Sequence, residues 1–192
     1  MNHLGIVVGH NFDNRGAKAT YPLNTYEYDY NSGVAEKVYI EARSRGMDVT
    51  IVHKNGLLTK DVGEIVSACA DCAIELHFNA FNGSAKGSET FYAFESIQSK
   101  SFADIVHPHI ARCFDRSGKT DRGAKPLKES DRGFYNLSAI KGPAIIVEPA
   151  FGDNCSDSAL LKDKEIEYAR CLVDAVEEWF KAKEEKCQEP ME

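Results

Sequence analysis

Residues 5–10 read Gly-Ile-Val-Val-Gly-His, and two similar apolar runs follow at residues 72–77, Cys-Ala-Ile-Glu-Leu-His, and 143–148, Pro-Ala-Ile-Ile-Val-Glu. Short runs that are rich in β-branched residues and bounded by turn-forming residues are typical of buried strands in a parallel or mixed sheet. Ligands of open α/β sheets bind beyond the carboxyl ends of the strands. We therefore expect the two histidines and the glutamate that end these runs to meet at one edge of a sheet.

Strands alternate with helices along the chain, which predicts a single-domain α/β fold with a mixed, mostly parallel sheet flanked by helices on both faces. The strands are predicted at residues 4–10, 47–52, 72–77, 89–94, 134–137 and 144–147, and the helices at residues 24–45, 59–70, 99–117 and 157–186. Pro108 is expected to kink or divide the third helix. Residues 117–132 are polar and are expected to form a long surface loop.

Composition limits the class of partner. The 192 residues have a net charge of −7 and no long cluster of Lys and Arg, which argues against a nucleic-acid partner held by phosphate contacts. No apolar run approaches the ~20 residues that span a bilayer, so we expect no stable membrane association. The first residues do not resemble a secretory signal peptide, and we expect synthesis in the cytoplasm.

The six cysteines are spaced irregularly along the chain, which favours free thiols over a disulfide framework. Cys69-x-x-Cys72 is one such pair, and no second pair completes a zinc ribbon. A structural or redox role for it stays open. The favoured interpretation is the end of a helix followed by the start of a strand, with both thiols packed as small apolar groups.

A catalytic zinc ion takes three protein ligands and leaves a fourth position for water. His10 and His77 can supply two ligands, and Glu27 is the natural third because the first turn of a long helix would lie beside the strand ends. Each residue also has an ordinary interpretation. A histidine in a domain of this kind is more often a packed or surface residue than a metal ligand. Glu27 would complete a capping box with Asn24, and Glu148 can pair with an arginine.

Two further groups of residues leave alternatives open. Glu75 lies two residues before His77, so strand alternation places both on the same face. An acid there can orient the ring of a metal-binding histidine without itself binding the metal, or it can form an ion pair with a nearby Lys or Arg. We favour the ion pair. His107-Pro108-His109 can bind a metal at the surface, but an exposed loop is favoured.

Six local motifs follow one another along the chain: Gly9-His10 with Asp13-x-x-Gly16-Ala17, Glu27-x-x-x-Asn31, Ala70-Asp71 with His77-Phe78-Asn79-Ala80, Gly87-x-Glu89-x-Phe91-Tyr92, Arg122-Gly123-Ala124-Lys125 with Phe134-Tyr135-x-Leu137, and Pro143-Ala144 with Glu148-x-x-Phe151-x-x-Asn154. In this order they resemble the zinc-dependent N-acetylmuramoyl-L-alanine amidases of the amidase_3 group. The chain departs from that pattern at Asn11, Phe12, Ser138 and Ala150. These departures bear on substrate details more than on the metal site.

The resemblance implies a function and a set of roles. His10, Glu27 and His77 are expected to bind Zn²⁺, and Glu148 is expected to be the catalytic acid/base. The reaction implied is hydrolysis of the amide bond between N-acetylmuramic acid and L-alanine in peptidoglycan. The alternatives are a zinc peptidase or carboxypeptidase that acts on stem peptides, and a non-catalytic peptidoglycan-binding module. Glu148 argues against a binding module, because binding alone needs no base.

The remaining expectations concern the whole chain and its substrate. Residues 1–186 are expected to form the amidase_3-like catalytic domain, and residues 187–192 a polar tail. Asn79 and Arg132 are expected to contact the substrate, and the protein is expected to be a monomer. Together with the N-terminal sequence, the resemblance predicts an endolysin of phage or prophage origin. Such a protein is made in the cytoplasm and acts on the bacterial cell wall after release.

Overall fold

A computed structural model describes the backbone of residues 2–188 and the side chains of residues 2–185. Its strands are β1 (His3–Val8), β2 (Asp48–His53), β3 (Cys72–Leu76), β4 (Ser88–Ala93), β5 (Asp121–Leu127) and β6 (Ala144–Glu148). Its helices are α1 (Glu27–Ser44), α2 (Thr59–Cys69), α3 (Ile97–Cys113), α4 (Phe134–Ser138), α5 (Cys155–Asp163) and α6 (Glu165–Gln188). None of the helices within the described residues is both long and apolar enough to cross a membrane.

The six strands form one sheet in the order β2-β1-β3-β6-β4-β5. The first four strands of this order are mutually parallel, β4 is antiparallel to β6, and β5 is parallel to β4. The sheet is therefore mixed and mostly parallel, which confirms the predicted fold class. The three strands that end in chemically active residues, β1, β3 and β6, are neighbours, so their carboxyl ends lie at one edge.

Helices cover both faces of the sheet, as predicted. On one face α1, α3 and α6 pack over an apolar cluster that includes Ile6, Ile74 and Ile145. On the other face α2 and α4 cover a second cluster that includes Val7 and Ile146. Neighbouring residues of one strand enter different clusters because successive side chains point to opposite faces. This explains why the central strands are apolar along most of their length, with Glu75 of β3 as the exception.

The predicted surface loop at residues 117–132 is wrong. Asp121–Leu127 forms β5, which lies at the edge of the sheet beside β4. Its sequence contains a glycine, a proline and three charged residues, which are unusual in a central strand but tolerated at an edge. Ion pairs join the strand to its neighbour, because Arg122 and Lys125 lie 3.0 Å and 2.6 Å from the carboxylate of Glu89.

The predicted strand at residues 134–137 is also wrong, because Phe134–Ser138 forms the short helix α4. The helix begins directly after Gly133, whose φ is 93°, a conformation that favours glycine. Phe134 and Leu137 lie three residues apart, and both are buried against the sheet. Apolar residues in so short a segment do not distinguish a strand from one turn of helix.

The predicted helix at residues 157–186 consists of two helices that meet at Lys164. The ammonium of Lys164 binds the carbonyl of Cys113 at 2.6 Å and the carboxylate of Asp115 at 2.7 Å, so the junction is fixed to the end of α3. The second helix, α6, continues to Gln188, beyond the predicted domain boundary at residue 186. The rest of the predicted tail lies outside the described residues.

Helix α3 continues through Pro108, so the proline does not divide it. Its apolar face packs on the sheet and on α6, which stabilises the helix despite the missing N–H group. The expectation of an exposed loop around His107 is wrong. His107 is buried, with its two ring nitrogens 3.0 Å from Thr90 Oγ1 and 2.8 Å from Asp121 Oδ1. His109 pairs with a glutamate of α6 at 2.8 Å.

The five cysteines with described side chains are free thiols. Cys69 is the last residue of α2 and is exposed, whereas Cys72 is the first residue of β3 and is buried. This arrangement matches the interpretation of the pair as a helix end followed by a strand start, but the expectation that both thiols are packed is wrong for Cys69, which is exposed.

Candidate active site

The candidate site lies where β1, β3 and β6 end. His10 follows β1 by two residues, His77 directly follows β3, and Glu148 is the last residue of β6. All three line a cavity of about 650 Å³, together with Glu27 from the start of α1. The structure thus brings together four residues that are far apart in the sequence.

Glu27 joins the two histidines. Its side chain is buried, with Oε2 lying 3.0 Å from Nε2 of His10 and Oε1 lying 2.7 Å from Nδ1 of His77. The backbone N–H groups of Ala17 and Phe78 each donate a hydrogen bond to this carboxylate at 3.2 Å. Two backbone segments and two side chains therefore fix its position.

The start of α1 excludes the capping-box interpretation of Glu27. Tyr26 occupies the position before the helix and makes no side-chain capping bond. Asn24, the expected cap, lies outside the helix with a φ of 51°. Glu27 is therefore free to direct its carboxylate into the cavity, and the alternative interpretation, in which Asn24 and Glu27 form a capping box, is wrong.

The surrounding backbone allows the three side chains to approach one another closely. A Cβ atom on Gly16 would lie 2.5 Å from the ring of His10 and 2.7 Å from the carboxylate of Glu27, and a Cβ atom on Gly9 would lie 2.5 Å from the ring of His77. His10 itself has a φ of 65°, which is unusual for a residue with a side chain. Strained residues of this kind often lie at functional sites.

The donor set fits a transition-metal ion. One ligand atom from each of His10, Glu27 and His77 lies within 4.8 Å of the others. Two imidazole nitrogens and one carboxylate oxygen are ligands that zinc accepts, and three protein ligands are typical of catalytic zinc sites. The residues predicted as ligands are thus close enough to share one ion.

The charges around the histidines also suit a cation. Burial opposes the ionisation of Glu27, but hydrogen bonds with His10 and His77 outweigh it and lower the pKa of Glu27 to about 2. Burial likewise disfavours a charged His77, but hydrogen bonds with Glu27 and Glu75 raise the pKa of His77 to about 10. The same negative charge that holds a proton on His77 would attract a metal ion.

Glu148 has different surroundings from Glu27. Its Oε2 atom is buried and has no hydrogen-bond partner among the described residues. Burial raises the pKa of Glu148 to about 7; the charge of His77 opposes the rise, and the charges of Glu89 and Glu27 add to it. A carboxyl group with such a pKa can both accept and donate a proton near neutral pH.

Glu75 makes both of the contacts that the sequence left as alternatives. The residue is 2% exposed, and its Oε1 lies 2.7 Å from Nε2 of His77. The same oxygen accepts hydrogen bonds from the ammonium of Lys54 and, at 3.0 Å, from the amide of Asn136. Burial opposes ionisation, but the contacts with His77 and Lys54 lower the pKa of Glu75 to about 2.

The two residues expected to contact the substrate line the same cavity. Asn79 follows β3 and donates a side-chain hydrogen bond to Glu89, which holds it at the cavity wall. Arg132 is exposed and also lines the cavity.

The sequence analysis did not identify three features of the site, which are Lys54, Asn136 and the ion pairs of Glu89. Glu89 belongs to one of the six motifs, and it is an acid within a strand of otherwise uncharged residues, which is the signal that could have pointed to its ion pairs. Lys54 and Asn136 have no local signal, because only the tertiary fold brings them to Glu75.

A family model described as N-acetylmuramoyl-L-alanine amidase, Amidase_3, matches residues 4–178. The chain belongs to this family. One relative of this Amidase_3 chain is the N-acetylmuramoyl-L-alanine amidase LytC of Bacillus subtilis (strain 168), which is 31% identical over 142 residues. The match covers 71% of this chain and 27% of LytC, so the chain spans about a quarter of that relative's length. The uncharacterized protein YqiI of the same organism is 25% identical over 182 residues, which cover 91% of this chain and 83% of YqiI.

Several solved structures share the fold of this Amidase_3 chain. An N-acetylmuramoyl-L-alanine amidase from Clostridium difficile 630 gives a TM-score of 0.82 at 23% identity, over 95% of this chain and 98% of that one. The catalytic domain of CwlV from Bacillus (Paenibacillus) polymyxa var. colistinus gives 0.80 at 22% identity, over 94% and 99%. The catalytic domain of the CD27L endolysin gives 0.74 at 26% identity, over 92% and 97%. The resemblance and fold predicted from the sequence are thereby confirmed, and the endolysin origin stays a prediction.

Proposed function

We propose that this chain is a zinc-dependent hydrolase that cleaves the amide bond between N-acetylmuramic acid and L-alanine in peptidoglycan. Family membership supports the type of reaction. One observation supports the mechanism most strongly: ligand atoms of His10, Glu27 and His77 lie within 4.8 Å of one another, beside a cavity that also contains the buried carboxyl group of Glu148.

Each residue of the site has a role in this proposal. Amide hydrolysis needs an activated water molecule, a polarised carbonyl group and a protonated leaving amine. His10, Glu27 and His77 would hold zinc, which when bound would supply Lewis acidity towards the carbonyl oxygen and would lower the pKa of water from 15.7 to about 7. Glu148 accepts a proton from the attacking water and then delivers it to the departing nitrogen. Its raised pKa suits both steps.

Asn79 and Arg132 contact the substrate in this proposal. The side-chain amide of Asn79 donates one hydrogen bond to Glu89 and accepts one from the N–H of Ala80, which leaves one donor and one acceptor position for a peptide group. Arg132 is exposed on the cavity wall, where its positive charge can pair with a carboxylate of the stem peptide.

Analysis of the products tests the proposal. Zinc-loaded protein is incubated with purified peptidoglycan, and the new amino groups, their N-terminal amino acid and the new reducing ends are measured. We expect new amino groups on L-alanine, with no increase in reducing ends. A different N-terminal amino acid would indicate a peptidase, and retention of the protein on peptidoglycan without any product would indicate a binding module.

Two further proposals concern the whole molecule. The chain is proposed to be a monomer, which light scattering tests against the chain mass of 21.3 kDa. It is also proposed to act on the bacterial cell wall after release from the cytoplasm. Lysis of intact cells by added protein, compared with lysis after the membrane has been permeabilised from within, tests this order of events.

A further inference from the structure

The ring of His77 is held on two sides by two buried carboxylates. Its Nδ1 lies 2.7 Å from Oε1 of Glu27, and its Nε2 lies 2.7 Å from Oε1 of Glu75. Glu27 also contacts His10, so Nδ1 is the nitrogen that faces the other two candidate ligands. Nε2 faces away from them and can act only as a donor to Glu75 when Nδ1 binds a metal.

Glu75 occupies a position where an apolar residue would be expected. In the sheet it pairs with Val7 on β1 and with Ile146 on β6, and both neighbours belong to the apolar cluster beneath α2 and α4. A carboxylate that is 2% exposed on such a face costs free energy unless charges and hydrogen bonds compensate it. Packing of the sheet therefore does not account for this residue.

Three groups from separate segments compensate the charge of Glu75. Lys54 follows β2, Asn136 lies on α4 and His77 follows β3, and all three contact the same carboxylate oxygen. Lys54 also lines the cavity, with its side chain only 18% exposed. The carboxylate is thus held in one position from which it can fix the histidine ring.

We propose that Glu75 is a positioning residue for the metal ligand His77. It accepts a hydrogen bond from the Nε2–H group, which keeps Nδ1 unprotonated for the metal and fixes the plane of the ring. Lys54 and Asn136 hold Glu75 in this position. The inference rests on the proposed function only for the presence of the metal, and it makes no claim about the bond that is cleaved.

Zinc affinity of the Glu75→Gln variant tests the proposal, measured by competition with a chromophoric chelator. Glutamine keeps the shape of the side chain but removes its charge, and we expect zinc affinity to fall about 10- to 100-fold. Asp157→Asn is the matched control. Asp157 is also a buried carboxylate with an ion pair, at 2.9 Å from Arg116, but it does not line the cavity. This control is expected to lower stability and leave zinc affinity within about twofold of wild type.

Nitrogen-15 NMR of the zinc-loaded wild-type protein provides a second measurement that does not depend on a variant. We expect Nδ1 of His77 to carry the shift of a metal-bound nitrogen and Nε2 to carry a slowly exchanging proton. Binding through Nε2, or unchanged zinc affinity in folded Glu75→Gln, would overturn the proposal. If a protein that passes both tests exposes no new amino group on the L-alanine of the stem peptide, that result would instead contradict the proposed function alone.

Discussion

Glu148 lies directly opposite Glu89 in the antiparallel pairing of β6 with β4, so the two carboxyl groups project from the same face of the sheet. Arg122 and Lys125 form ion pairs with Glu89. Glu148 has no such partner within the described residues, and its Oε2 atom makes no hydrogen bond there. Neighbouring acids in unlike surroundings can therefore take different roles, one as a fixed charge and the other as a proton carrier.

The first prediction concerns the proton carrier. Glu148→Gln should lower kcat about 10²- to 10⁴-fold, because glutamine cannot accept the proton of the attacking water. Zinc should remain bound, since Glu148 is not among the three clustered ligands. Release of amino groups from peptidoglycan measures the activity, and metal analysis of the same sample measures zinc. Normal cleavage by this variant would contradict the assigned role.

The second prediction concerns the stability of the zinc-free protein. Burial raises the pKa of Glu148 from 4.5 to about 7, so the unfolded chain ionises at a lower pH than the folded protein. The contribution of the Glu148 carboxyl group to wild-type stability is therefore fully present below pH 4.5 and is lost as the pH rises through 7. Glu148→Gln removes this loss, and we expect it to raise the free energy of unfolding by up to about 3 kcal/mol at pH 8.

Urea unfolding at pH 4 and pH 8 measures this difference. The two proteins should be nearly equal in stability at pH 4, where the carboxyl group is protonated in both states. Glu129→Gln, at an exposed position outside the cavity, should not change stability at either pH. Equal stability of Glu148→Gln and wild type at pH 8 would mean that the Glu148 carboxyl group is not destabilised by burial.

Much of the fold and the core of the site could be predicted from local sequence. Apart from Glu75, the runs that end at His10, His77 and Glu148 are apolar on both faces, and such strands belong to the centre of a parallel sheet. Strand β5 could not be found in this way. It lies at an edge, and its polar side chains are stabilised by contacts with Glu89, which is 32 residues before the first residue of that strand.

The surroundings of the proposed ligands were less predictable than the proposed ligands themselves. Glu27 fitted both a capping box and a metal site, and only the path of residues 17–26 decides between them. Glu75 fitted either an ion pair or support of His77. The structure shows that one carboxylate oxygen makes both contacts, because Lys54 approaches from another strand end.

The third prediction compares two glycines with similar backbone angles. Gly16 has a φ of 75°, and a Cβ there would collide with His10 and Glu27; Gly46 has a φ of 78° and no atom within 4 Å of an added Cβ. Gly46→Ala should cost about 1 kcal/mol of stability from backbone strain alone. Gly16→Ala should cost more and also weaken zinc binding about tenfold or more, because it displaces two ligands.

Thermal unfolding and chelator competition on both variants measure the two effects. A loss of zinc affinity in Gly46→Ala equal to that in Gly16→Ala would show that backbone strain, rather than displacement of the ligands, is responsible.

The fourth prediction concerns the exposed charge at the cavity wall. Arg132→Ala should raise KM for peptidoglycan fragments about three- to tenfold and change kcat little, because the arginine binds the peptide without taking part in proton transfer. Arg170→Ala, which removes an exposed charge from α6, is the control and should leave KM unchanged. A fall in kcat at constant KM would contradict the assignment of Arg132 as a substrate contact.

The most direct test of the account is a titration of the metal-free protein with zinc, with bound zinc and release of L-alanine amino groups measured in each sample. We predict that activity is absent without metal and rises in proportion to bound zinc up to one ion per chain. His77→Ala should bind zinc far more weakly and remain inactive over the same range. Full activity in the metal-free protein, or unchanged zinc binding by His77→Ala, would contradict the account.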